Sequence, residues 1–169
     1  MSVRYRTAAA DDAEPLVAMF HDCFRDTFGH LYDPRDLAAF LAGHTVEQWR
    51  GQLENGDFVV RMAEDGDKLA GFIKLGPLRL PVEPAGTAIE LRQLYVGGPW
   101  HGSGVARELM DWGIAEARRR GSAELYLSVF TQNHRARRFY ARYEFEEVGP
   151  YAFMVGNQAD EDVIMRLTL

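Results

Sequence analysis

The chain reads as one α/β domain, and three observations carry that reading. Apolar residues recur with strand alternation in some stretches and with helical spacing in others, so the two element types interleave. A buried strand, Ala88 to Val96, runs into the glycine-rich turn Trp100-His101-Gly102-Ser103-Gly104, and Val105 then opens a helix running to Arg120 and stopped by Gly121. No repeat or linker interrupts the 169 residues, a length that suits a single domain, residues 1–169, with a sizeable core.

The elements follow in order. Val3 to Thr7 suits a first strand. Asp11-Asp12-Ala13-Glu14-Pro15 offers an N-cap, a glutamate three residues on and a first-turn proline, after which Leu16, Phe20, Cys23, Phe24 and Phe28 keep helical spacing. Asp33-Pro34 starts a short helix carrying Leu37, Phe40 and Leu41, and Thr45-Val46-Glu47-Gln48 is a capping box for a third, with Trp49 and Leu53 inward and Asn55-Gly56 as the stop. Phe58 to Met62 and Leu69 to Leu75 form a hairpin around Asp65-Gly66-Asp67. Pro77, Pro81 and Pro84 mark an irregular loop before the strand to Val96. A buried strand, Glu124 to Val129, and a short helix from Asn133 to Tyr143 come after the glycine turn and its helix. Glu146 to Val155 and Asp162 to Leu167 complete the chain as a hairpin across a polar turn, Gly156 to Glu161.

Within Ala88–Val96, Ile89 and Leu91 share one parity while Leu94 and Val96 share the other. Either the strand is buried on both faces, or an extra residue near Arg92-Gln93 makes a β-bulge that brings all four to one side. A bulge would splay the strand from its neighbour and open a slot beside unpaired backbone groups.

Composition narrows the function. The longest apolar runs fall short of the roughly 18 residues that span a bilayer, and Met1 to Arg6 lacks the apolar core of a signal peptide. A single cysteine, Cys23, forms no intrachain disulfide and sits on an apolar helical face, so it reads as a small buried hydrophobe and the expected location is cytoplasmic. The net charge of -6 disfavours nucleic acid and suits a cationic substrate. Arg118-Arg119-Arg120 falls at a helix C-terminus, where positive charge offsets the dipole. The five histidines show no metal-ligand spacing, so no metal is expected.

A strand, a glycine turn and a helix N-terminus together can form an anion site, since glycines admit a phosphate and the first-turn N–H groups point at it; the loop alone is equally an ordinary strand-to-helix turn. A dinucleotide fingerprint would place a third glycine at Arg107 and sit early in the chain, and no Walker sequence occurs. The second motif is Asn133-His134-Arg135-Ala136-Arg137-Arg138-Phe139-Tyr140, followed by Arg142-Tyr143-Glu144-Phe145. Together the two motifs resemble the GNAT acetyltransferases, over the whole chain in element order and most specifically from Glu90 to Phe145. Phe24-Arg25-Asp26-Thr27-Phe28, Ile89-Glu90-Leu91, Phe153-Met154-Val155-Gly156 and Asp162-Val163-Ile164-Met165 are further similar to the bacterial Pai-type polyamine acetyltransferases.

The resemblance implies a mixed sheet of about six to seven strands, flanked by helices and bulged in the fourth strand. It implies acetyl-CoA as co-substrate, with Leu94, Tyr95 and Val96 along the pantetheine arm. His101, Gly102, Ser103, Gly104, Val105, Ala106 and Arg107 would hold the pyrophosphate, with Arg138 also on the coenzyme and Asn133 bonding the pantetheine or positioning the following helix. Two departures stand out: His101 replaces the family's usual Gln or Arg, and Glu144 replaces a glycine whose left-handed backbone comes cheaply.

The same resemblance makes Tyr140 the general acid for the leaving thiolate, protonated at neutral pH by its ordinary pKa near 10; otherwise Phe139, Tyr140 and Tyr143 are one buried helical face. Glu90 is the candidate base, with pairing to Arg92 as its structural alternative, and Tyr95, His134 or a water chain as other bases. Asp22, Asp26 and Glu83 are candidate contacts for a cationic amine. The expected activity is acetyl transfer to a small cationic amine such as a polyamine. Alternatives are a protein lysine or N-terminus as acceptor, and a non-catalytic acyl-CoA sensor. The oligomeric state, monomer or homodimer, stays open.

Overall fold

The computed structural model describes residues 2–169. Seven strands form one sheet, ordered β1-β2-β3-β4-β5-β7-β6: β1 (Val3–Thr7), β2 (Val59–Asp65), β3 (Lys68–Pro77), β4 (Ala88–Val96), β5 (Glu124–Phe130), β6 (Glu146–Val155) and β7 (Gln158–Thr168). All neighbours are antiparallel except β4 and β5. Helices α1 (Ala13–Phe28), α2 (Pro34–Ala42) and α3 (Val46–Glu54) precede β2, α4 (Val105–Arg119) joins β4 to β5, and α5 (His134–Arg142) joins β5 to β6.

Strand parity sorts the core onto two faces. Val105, Leu109, Met110 and Ile114 of α4 and Tyr140 of α5 pack with Ile73, Leu75, Leu91, Leu125 and Leu127. On the opposite face Leu16, Phe20 and Phe24 of α1, Leu41 of α2 and Trp49 of α3 pack with Val60, Met62 and Phe72, and Tyr95 joins them. One cation enters this second layer: Lys74, 3% exposed, lies 3.2 Å from the centre of the Trp49 ring and donates to Gln52 Oε1 at 2.6 Å. Desolvation lowers its pKa to about 7.

Pairing between β3 and β4 steps from Lys74–Gln93 to Leu75–Leu91, leaving Arg92 as the extra residue. Ile89 and Leu91 therefore share a face with Leu94 and Val96, so the parity change along β4 is a bulge.

Several local expectations need correction. The N-cap expected in Asp11-Asp12 makes no side-chain bond to α1: Asp12 holds the N-cap position, but its carboxylate accepts from the Ala9 amide at 2.8 Å and pairs with Arg6 on β1, while a 3-10 turn, Ala10–Asp12, leads into the helix. The third helix stops without a left-handed residue, since Asn55 is extended. Cys23 is half-buried. The polar turn before β7 is also much shorter than expected, because Val155 already pairs with Gln158 and residues 158–161 belong to the strand. The polar run Asn157, Gln158, Asp160 and Glu161 reads as a loop in sequence, yet from Gln158 onward it is strand. Glu144 takes the left-handed backbone at φ 70, so the conformation usually given to glycine is present without one.

Candidate active site

The chain leaves β4 through a 3-10 turn, Gly98–Trp100, and enters α4 through two residues with positive φ, Gly102 at 73° and Gly104 at 91°. A Cβ at either glycine would meet nothing within 4 Å, so glycine is required by the backbone conformation alone and the loop lies open. The first helical bond of α4 runs from the Glu108 amide to the Gly104 carbonyl. The amides of Val105, Ala106 and Arg107 thus have no partner within the helix, and they sit at its positive end. The loop is braced from behind by the Trp100 indole on Asp65 at 2.9 Å and by the Ser103 hydroxyl on the Trp100 carbonyl at 2.5 Å.

His101 ties three elements together. Nε2 lies 2.7 Å from the Val96 carbonyl and so carries the hydrogen, which leaves Nδ1 to accept from Arg135 of α5 at 3.3 Å. The imidazole does not replace the backbone cradle; it locks the cradle to the end of β4.

The parallel pairing of β4 with β5 covers only Ala88–Glu90 against Glu124–Tyr126. Past the bulge the strands part, and a groove of about 980 Å³ occupies the gap. Leu94, Tyr95 and Val96 form one wall and Ser128, Val129 and Phe130 the other; His101, Gly102, Gly104, Val105, Ala106 and Arg107 lie at the cradle end. A strand edge that has lost its neighbour can pair with an extended ligand.

Tyr140 reaches the groove from α5 and is 9% exposed, its ring packed edge-on against Phe139 and Phe145. Burial alone raises its pKa, so the hydroxyl keeps its proton at neutral pH. Asn133 also lines the groove, and its side-chain oxygen caps α5 by accepting from the Ala136 amide at 3.2 Å.

The far end of the groove is aromatic and acidic. Phe24, Phe28, Phe40 and Phe153 line it, with Asp160 and Asp162 from β7. The Tyr32 hydroxyl donates to Asp160, and burial followed by that bond raises the tyrosine pKa. Asp162 has its pKa pushed up to about 7, first by burial and then by the charge of Asp160, against a lowering hydrogen bond from Ser128. The β6–β7 tip is fastened over this end: the Asn157 amide donates to Asp36 at 3.0 Å, and a Cβ on Gly156 would strike Asp36 at 2.5 Å. Gln93 also lines the groove, and its buried Oε1 has no partner among the described residues.

Other candidates lie elsewhere. Glu90 does not line the groove: it accepts from the Arg79 amide at 3.0 Å, sits 3.3 Å from Arg92 Nε, and its pKa is raised by burial against the opposing pull of these groups. Asp22, Asp26 and Glu83 are exposed and outside the lining, as are Ser103 and Arg138. Sequence reasoning missed Tyr32, Asp160 and Asp162. The alternation of Asp160, Asp162 and Ile164 was the available signal, hidden because the segment looked like a turn.

Residues 13–145 match the acetyltransferase (GNAT) family. An uncharacterized N-acetyltransferase of Mycobacterium tuberculosis is 36% identical over 155 residues, covering 91% of this chain and 96% of its own. Among solved structures, the PaiA N-acetyltransferase of Thermoplasma acidophilum in complex with coenzyme A superposes with a TM-score of 0.80 at 20% identity, over 100% of both chains. The ribosomal-protein-alanine N-acetyltransferase of Brucella melitensis gives 0.74 at 26% identity, over 98% of this chain and 99% of its own.

Proposed function

This chain belongs to the GNAT acetyltransferase family, and on that footing we propose that it moves the acetyl group of acetyl-CoA onto a small polycationic amine of the polyamine class. The observation that carries the acceptor is the composition of the groove's far end. Two carboxylates, each 7% exposed and neither in an ion pair with a lysine or arginine among the described residues, line an aromatic-walled space. A buried carboxylate without a cation is costly, and an ammonium substrate would relieve the cost.

Acetyl-CoA supplies an activated thioester when bound. The open amides of Val105 to Arg107, with Gly102 and Gly104, suit its diphosphate, and the unpaired edge of β4 at Leu94 and Tyr95 suits its pantetheine arm. Val96 would contribute little through its carbonyl, which His101 already occupies. Arg135 and Arg107 add positive charge at this end. Tyr140 holds its proton where the thiolate leaves and serves as the acid.

An N-terminal or lysine amine of a protein is the second reading, favoured by the likeness to the Brucella enzyme. An amine panel with acetyl-CoA, followed by thiol release, separates the readings. Spermidine is expected to turn over faster than lysine peptides or alanine-terminated peptides. Faster release with a peptide would transfer the acceptor to protein, and tight CoA binding with no release for any amine would make the chain an acyl-CoA sensor.

A further inference from the structure

We infer that Asp162 accepts the proton that the incoming ammonium must lose, while Asp160, fixed by Tyr32, holds the positive charge of the acceptor beside it. The inference rests on the amine-acetyltransferase reading above and assigns a base within it.

Asp160 and Asp162 are alternate residues of one strand and therefore face the same way. The next residue on that face, Ile164, packs with Leu80 and Tyr126, so the two carboxylates lie where an apolar layer gives way to the groove. Their commitments differ. Asp160 accepts from Tyr32 Oη on one oxygen and from Gln158 Nε2 at 3.1 Å on the other. Asp162, with Ser128 as a nearby lowering influence on its pKa, is in no ion pair among the described residues, so it retains accepting capacity toward the groove.

No lysine or arginine is paired with Asp162 among the described residues. Tyr95 faces it from β4 and Tyr32 from the α1–α2 connection, Ser128 and Phe130 stand on β5, and Tyr151 is paired opposite it on β6. None carries positive charge. Tyr95, Tyr140 and Asp162 line the same groove. With a pKa near 7, Asp162 is substantially ionised at neutral pH yet basic enough to take a proton from a desolvated ammonium. Glu90, by contrast, is engaged by Arg79 and Arg92 outside the groove lining.

The step balances. The ammonium gives one proton to Asp162, and its freed lone pair forms the C–N bond to the acetyl carbonyl. The C–S bond breaks, the thiolate takes the Tyr140 proton, and the nitrogen's second proton returns to Tyr140. Asp162 then releases its proton to solvent. The products are the N-acetylamine, free thiol and one proton.

The test is the pH dependence of kcat/KM for spermidine in wild type, D162N and S128A, with CoA affinity measured by calorimetry as a control for folding. Wild type should show an acid limb near pH 7. D162N should lose that limb and on the order of 100-fold in kcat, with CoA affinity unchanged. S128A removes a neighbour that favours the ionised form of Asp162, so its limb should move to higher pH. Should D162N fail to fold, the carboxyl-carbon NMR titration of Asp162 in the free wild-type protein decides: a midpoint near 7 supports the assignment, and one in the ordinary carboxylate range overturns it. A D162N enzyme that keeps the acid limb, with kcat within threefold, also overturns it while leaving the amine reading intact. Absence of turnover with every amine in wild type overturns both.

Discussion

The two ends of the groove are built from different materials. At the cradle end the working groups are backbone amides at a helix start, made available by two glycines within three residues. At the aromatic, acidic end, the proposed acceptor end, the lining groups are side chains: Tyr32 comes from the α1–α2 connection, Asp160 and Asp162 from the last strand, and Phe153 from the strand before it. Backbone recognition suits a ligand part that never changes, such as a diphosphate, because almost any side chain can vary around it. Side-chain recognition suits the variable partner, since one substitution rewrites charge and shape. On the proposed reading, the donor site is written locally and the acceptor site is assembled at long range.

That contrast can be broken at several points. The largest effect is expected where the two ends meet. Tyr140→Phe removes the proton for the thiolate while keeping the ring packed on Phe139 and Phe145, so kcat should fall on the order of 100-fold in steady-state assays with CoA affinity nearly unchanged. Unchanged turnover would remove Tyr140 from the chemistry. At the cradle, Gly104→Ala strains a backbone at φ 91 and should weaken CoA on the order of tenfold by calorimetry while leaving the KM for amine within twofold. A mutant that loses both substrates equally would mean that the ends are not separable. The smallest effect lies outside the groove. Glu144→Gly relieves the left-handed strain after α5 and should raise unfolding stability by about 1 kcal/mol in denaturant titration, with activity unchanged.

Legibility in the sequence followed the same division. The contiguous strand, glycines and helix suggested a cradle only once the second motif was read beside them, and the parity change at Arg92 left a bulge and a doubly buried strand equally open until the register with β3 chose the bulge. The start of β7 was not readable: Asp160 and Glu161 look like turn residues until pairing with β6 shows that they alternate. Asp12 and Glu90 looked available for capping and for chemistry, yet Arg6 and Arg79 engage them from other elements. Local pattern does not reveal which distant cation or amide will claim a carboxylate. The histidine at the head of the cradle was visible as a departure, but its bonds to Val96 and Arg135 were not, since they join residues up to 34 apart.

The central claim is that the acidic end selects the acceptor by charge. The most direct measurement is the ratio of kcat/KM for spermidine to that for a monoamine of equal length, in wild type and in D160N at saturating acetyl-CoA. Wild type is expected to prefer spermidine by on the order of tenfold or more, and D160N to bring the ratio toward one with the KM for acetyl-CoA unchanged. A ratio that is the same in both proteins would contradict the account.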